Sequence, residues 1–202
     1  MSLILALIFV PAFSQTEPPT GSLVEVMPGA KVNFRDKPLA DAPRRKGYVA
    51  PGDLLVAGAV DGAFTSVTFV STDGKSSSGW IETARLRALS AWSGSWSGSW
   101  NFGDSTLEIS VDRARGKYHV VGQSTWGSHD PERVRNGGVH IGDIEGDLRT
   151  SGDRASYRDG NDEVSCRVEM RLLVPYLLVE DNDKCGGMNV SFRGTYRRSV
   201  KK

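Results

Sequence analysis

Over residues 164–172 apolar and polar side chains alternate without a slip. Val164, Cys166, Val168, Met170 and Leu172 fall on one side, and Ser165, Arg167, Glu169 and Arg171 on the other. A period of two is that of a strand with one buried and one wet face, as in antiparallel sheets. Val174-Pro175 ends the run and turns the chain, and residues 176–179 return as its partner. Leu107, Ile109 and Val111 alternate with Glu108, Ser110 and Asp112 in the same way, and Tyr118 and Val120 follow a turn at Arg115-Gly116. Val190, Phe192, Gly194 and Tyr196 alternate in a last strand after a polar loop over 181–187. Shorter strands separated by glycine fit between Val139 and Tyr157. About eight strands with hairpin connections predict an antiparallel up-and-down β-barrel or small sandwich over 92–200, almost without helix.

The chain upstream has another texture. Val32-Asn33-Phe34-Arg35 is a short extended run, and residues 36–46, with Pro38 and Pro43, read as a polar, basic loop. Tyr48 and Val49 lead into a turn at Pro51-Gly52-Asp53. Residues 54–60 form a continuous apolar run, Asp61-Gly62 signals a hairpin, and 64–70 is the next strand. Residues 72–79 read as a loop, after which Trp80-Ile81 opens a closing strand that ends at Leu86. Five short strands over 22–89 predict a small barrel of their own, so the whole chain is all-β. The junction is followed by Trp92-Ser93-Gly94-Ser95-Trp96-Ser97-Gly98-Ser99-Trp100. As a strand this repeat puts every Trp on one face and every Ser on the other. It is read as the first strand of the second core, in preference to a linker or an exposed glycan platform. Trp92, nearest the junction, is a candidate latch between the two units.

The upstream motifs carry a resemblance. Val32-Asn33-Phe34-Arg35 resembles the L-N-V-R opening of bacterial SH3-type (SH3b) domains, and residues 47–53, G-Y-V-A-P-G-D, are similar to their glycine–aspartate turn. Phe64-Thr65-Ser66-Val67 stands where the family has W-x-k-V, and Gly79-Trp80-Ile81 matches G-W-V. The sequence departs in Arg35-Asp36-Lys37-Pro38, which lacks the family's glycine, and in Phe64. The resemblance implies an SH3-like small barrel that binds cell-wall material or a partner protein through a shallow groove. Asn33, Arg35, Tyr48, Phe64 and Trp80 are its candidate ligand-binding residues, with Trp92 beside them. Phe64 is read as core in preference to groove, and Trp80 equally as core or groove. Residues 178–196 resemble a pattern in uncharacterised exported proteobacterial β-barrel proteins, some of them similar to periplasmic lysozyme inhibitors.

Composition narrows the setting. Residues 3–10 are an unbroken apolar run of signal-peptide length, too short to span a bilayer, and Ala12-Phe13-Ser14 supplies a small-x-small cleavage pattern. A signal peptide over 1–14, an unstructured stretch over 15–21 and a periplasmic or secreted mature protein without a membrane span are expected. In such a compartment the two cysteines, Cys166 and Cys185, predict one disulfide. With 25 Lys and Arg against 24 Asp and Glu, the net charge is +1, so no global field favours nucleic acid, and none is expected as a partner. The basic runs Arg44-Arg45-Lys46, Arg197-Arg198 and Lys201-Lys202 read as solvated faces open to a wall polymer or an acidic partner.

Catalytic patterns are not found. His119, His129 and His140 lie in no nucleophile elbow and no H-E-x-x-H, and no catalytic residue is assigned. Asp143, Glu145 and Asp147 share one strand face, which reads as solvated, so no metal and no cofactor is expected. The expected function is therefore an exported envelope binding or adaptor protein, whose SH3b-like module contacts peptidoglycan or an envelope protein. Alternatives are an inhibitor of a lysozyme-type hydrolase and a barrel that holds a small ligand.

Overall fold

The computed structural model describes residues 19–90 and 94–199. The expected signal peptide, residues 15–18 and Trp92 lie outside the described residues. Within them the protein is almost all β, with one five-residue helix, α1 (Pro131–Arg135), and a single 3-10 turn at Thr83–Arg85. No helix among the described residues is long and apolar enough to cross a membrane.

The first unit is an antiparallel sheet of seven strands, not five. In chain order they are β1 (Ser22–Val26), β2 (Val32–Arg35), β3 (Arg44–Val49), β4 (Leu54–Asp61), β5 (Phe64–Val70), β6 (Ser76–Glu82) and β7 (Leu86–Ala88). Their order across the sheet is β3-β2-β6-β5-β4-β1-β7. Val24, Val26, Phe34, Val49, Leu55, Ala57, Val67 and Ile81 from six of these strands merge into one cluster. A flat sheet cannot bring them together, so the sheet curls around them. β3 runs through residues assigned to the 36–46 loop, and β6 starts inside the 72–79 loop. Both were hidden because their side chains are nearly all exposed along the stretches concerned. The backbone ladder forms there regardless, and Ser76, Ser77 and Ser78 pair with Val70, Phe69 and Thr68.

The second unit is a closed barrel of eight strands in simple meander order, as the alternation predicted. They are β8 (Gly98–Phe102), β9 (Ser105–Asp112), β10 (Lys117–Trp126), β11 (His140–Ser151), β12 (Arg154–Arg158), β13 (Arg167–Leu173), β14 (Tyr176–Asp181) and β15 (Gly194–Arg198). Each pairs antiparallel with its neighbours, and β15 closes onto β8 through Arg197–Asn101 and Arg198–Trp100. The interior is packed by side chains from every strand, among them Trp100, Ile109, Val120, Ile144, Tyr157, Met170, Leu177 and Tyr196. Gly122 lies where a Cβ would come within 2.4 Å of Leu107 and 2.9 Å of Ile144, so the missing side chain is what lets the layers close.

The Trp repeat joins this core, though not as one continuous strand. Trp96 and Trp100 are buried, and the Trp100 indole N–H donates to the Trp96 carbonyl at 3.2 Å. The strand itself begins only at Gly98. Similarly β13 starts at Arg167, leaving Val164 74% exposed, because Asp162 captures the Ser165 amide and hydroxyl in a turn. The disulfide Cys166–Cys185 ties the entrance of β13 to the loop after β14. Buried Asp181 organises the same loop by accepting from the Phe192 and Asp183 amides and the Ser191 hydroxyl.

A third apolar cluster joins the two units. Leu23, Val56 and Val70 of the sheet meet Leu173, Tyr176 and Leu178 of the barrel. The Tyr176 hydroxyl donates to the Leu54 carbonyl, and Arg171 donates to the Gly21 carbonyl at 2.6 Å. The unbroken apolar run at Leu54–Ala57 now has a reason. Leu55 and Ala57 face the sheet's own core while Leu54 and Val56 face the barrel.

Candidate functional site

The register of the first sheet gathers the five described candidate residues onto one side. Arg35 stands opposite both Arg44 and Trp80, Asn33 opposite Tyr48, and Phe64 opposite Glu82. Cross-strand partners share a face, and Phe34 and Ile81, one position away, point into the core. Asn33, Arg35, Tyr48, Phe64 and Trp80 thus lie on the outer face, together with Lys31, Arg44 and Glu82.

On this face a groove of about 160 Å³ is lined by Lys31, Asn33, Arg35, Arg44, Glu82 and Arg85 with Val32 and Ile81, whereas Tyr48, Phe64 and Trp80 do not line it. Its floor is Arg35, whose side chain is 11% exposed. The guanidinium donates to the Ala42 carbonyl at 3.1 Å, lies 3.5 Å from Glu82 and covers the Phe64 ring at 5.7 Å. Phe64 is therefore buried, as a core residue would be, but under Arg35 and not in the central cluster. Asn33 donates to the Arg45 and Gly47 carbonyls at 3.2 and 3.3 Å, holding the bulge where β3 departs from β2. Arg35 and Asn33 build the groove, and their polar groups are largely spent on doing so.

The groups left for a ligand are at the rim. Lys31 sits 4.1 Å from the centre of the Tyr48 ring, and Tyr48 is 52% exposed. Arg44 is exposed beside them, and Arg85 reaches across to donate to the Ala30 carbonyl at 2.9 Å. Trp80 is half-buried on the same face. The alternation Lys31-x-Asn33-x-Arg35 was the available signal for Lys31. Glu82 and Arg85 had none, since one ends a strand and the other closes a 3-10 turn. The groove is thus a cationic slot with a single carboxylate, fit to hold an anion beside an aromatic surface.

The remaining polar clusters are arranged differently. Asp104 accepts from the Ser128 hydroxyl at 2.8 Å and contacts His129 at 2.6 Å. The carboxylate stands between hydroxyl and imidazole, the reverse of the order in which a base activates a nucleophile. His119 is 3.3 Å from Asp147, which also meets Arg115 at 3.1 Å and Lys117 at 3.7 Å. The His119 bond first, then the two cations, hold the Asp147 carboxyl below the usual carboxylate range. His140 donates to the Met188 carbonyl and stacks on Trp126, with Arg133 4.3 Å from the same indole. Asp143 accepts from Gln123 at 3.1 Å, and among the described residues no three His, Cys, Asp or Glu are grouped to hold a metal ion. The terminal pair Arg197-Arg198 is not a solvated end. Arg197 lies over Tyr176 at 4.8 Å and Arg198 over Trp100 at 4.5 Å, where burial lowers the Arg198 pKa.

No family model, curated protein or solved structure matches this chain.

Proposed function

We propose that this is an exported binding protein of the bacterial envelope that works without catalysis, and that the groove on its first sheet takes a carboxylate-bearing peptide of peptidoglycan or of an envelope protein. The observation that carries the reading is the convergence of Lys31, Arg44 and Arg85 above the fixed Arg35, with the Tyr48 ring open at the rim. Wall stem peptides present free carboxylates on short aliphatic residues. Guanidinium and ammonium groups pair with the former, and an exposed tyrosine face packs against the latter. The resemblance of 32–35, 47–53 and 79–81 to SH3b motifs points the same way. The Cys166–Cys185 disulfide fits an oxidising compartment, in keeping with the apolar run at 3–10.

The test is co-sedimentation of the full chain with purified peptidoglycan. Retention is expected at low salt, weakening as salt rises, since the rim charges are exposed. The double variant Lys31→Glu with Arg44→Glu, neither of which supports the fold, should pass into the supernatant. Retention that survives both substitutions removes the groove from the account. A wild-type chain that never sediments removes the wall.

A further inference from the structure

A second cationic cluster lies on the closed barrel, where the ladder between two of its strands is short. β11 has twelve residues, yet only Arg149, Thr150 and Ser151 pair with β12, opposite Ser156, Ala155 and Arg154. Beyond Arg149, β11 stays with β10 from Leu148–Tyr118 onward, while Tyr157 and Arg158 of β12 stay with β13. The seam therefore parts. On the inside Tyr157 closes it: its hydroxyl donates to the Glu145 carbonyl at 3.3 Å and accepts from the Glu145 amide at 3.4 Å. The ring lies where a Cβ on Gly146 would come within 2.9 Å of it. The gap is thus braced from within, and the Glu145 backbone facing it is satisfied by the Tyr157 hydroxyl.

On the outside the parting leaves a notch of about 520 Å³, lined by Lys117, Asp147, Arg149, Thr150, Ser156 and Arg158 with the backbone of Gly116 and Leu148. Three cations enter it from three strands, with the Ser156 hydroxyl beside them. Among the described residues the guanidinium groups of Arg149 and Arg158 take no hydrogen bond or ion pair. Asp147 is the one acid in the lining, and Arg115, His119 and Lys117 already surround it. Glu169 faces Ser156 from β13, with Arg158 and Arg154 acting on its carboxyl. Arg154, at the other end of the short ladder, continues the cationic line past the notch.

We propose that this notch binds phosphate groups of an anionic polymer. A phosphate carries charge for two guanidinium groups at once, and each fork can meet two of its oxygens. The Ser156 hydroxyl, opposite Arg149 on the outer face, is a donor of the kind that fixes phosphate register. The notch is a different site from the groove of the first sheet and does not depend on the function assigned there.

The test uses the full chain and end-labelled polyphosphate, with binding read by fluorescence anisotropy. The wild type is expected to bind, and inorganic phosphate to compete only at far higher phosphate concentration. Arg149→Glu with Arg158→Glu should weaken binding by roughly tenfold or more, because each reversal replaces an attraction by a repulsion at a partly screened surface. Arg149→Gln with Arg158→Gln, gentler on the fold, should weaken it in the same direction. The groove variant Lys31→Glu with Arg44→Glu should bind as the wild type does. No binding by the wild type, full binding by both Arg149/Arg158 variants, or an equal loss in the groove variant overturns the site. Competition by inorganic phosphate at matched concentration overturns the polymer.

Discussion

Replacing Tyr176 by Ala should uncouple the two units of this protein. Tyr176 is fully buried, yet it belongs to the cluster between sheet and barrel and not to the barrel core. Its ring packs among Leu23, Val56, Val70, Leu173 and Leu178, and its hydroxyl bonds the Leu54 carbonyl of the opposite unit. Truncating a buried aromatic costs about 3–5 kcal/mol. The orphaned carbonyl adds about 1 kcal/mol or more unless water reaches it. Nearly all of that loss falls on the junction, because Leu177 and Val179, the neighbours facing the barrel core, stay in place. For a chain of this size, about 4 kcal/mol corresponds to a fall in Tm of roughly 10 °C if unfolding stays in one step.

Differential scanning calorimetry separates the outcomes. The wild type should melt in one transition, since neither unit can unfold without exposing the shared cluster. Tyr176→Ala should melt in two, or in one that begins far lower. Tyr176→Phe keeps the ring and loses only the hydroxyl bond, so it should stay in one transition, lowered by about 1 kcal/mol. A Tyr176→Ala protein that melts once, within a degree or two of the wild type, refutes a coupled junction. Equal damage from Phe and Ala refutes its apolar origin.

Cys166→Ser with Cys185→Ser opens a closed loop spanning 19 positions, which chain entropy values at about 3 kcal/mol. Urea unfolding should show a lower midpoint, and an unchanged midpoint would mean that the Asp181 bonds alone hold the loop. The Ser71 hydroxyl, followed by Lys75, holds the Asp73 carboxyl down at about 2. Its folded pKa is depressed, so the turn's contribution is present above the ordinary carboxylate range and is lost as pH falls from about 4 towards 2. An NMR titration should place the wild-type midpoint there and Ser71→Ala nearer the ordinary value; superimposable curves would discard the bond as the cause.

What the sequence disclosed followed which strands have one wet face. The barrel strands alternate because each has solvent on one side, so Leu107–Ile109 and Val168–Met170–Leu172 announced both strand and core. β3 and the start of β6 have almost no apolar signal, because Arg44, Lys46, Ser76 and Ser78 face water and the ladder alone makes them strands. The junction also leaves a mark in the sequence. Leu54-Leu55-Val56-Ala57 and Tyr176-Leu177-Leu178-Val179 are apolar at consecutive positions, where a half-wet antiparallel strand would alternate. In each run one parity serves the strand's own core and the other the neighbouring unit. Among the described residues Tyr176 joins the two units; Trp92, the candidate latch, lies outside them.

The candidate groove shows why residue types alone locate a face more readily than they assign roles on it. Asn33, Arg35, Phe64 and Trp80 lie on one side of the sheet. Arg35, however, is bound to the Ala42 carbonyl, Glu82 and the Phe64 ring, and Asn33 to two carbonyls of β3. Removing Arg35 would leave the Ala42 carbonyl without its donor and the Phe64 ring open to water, costing stability whether or not a ligand exists. Loss of binding in an Arg35 variant would therefore say nothing about recognition. Lys31 and Arg44 have no such structural duty beyond the Tyr48 contact, so their charge is free for a partner. The discriminating substitutions are thus those at the rim, where the sequence is least distinctive, and not those at Asn33 and Arg35.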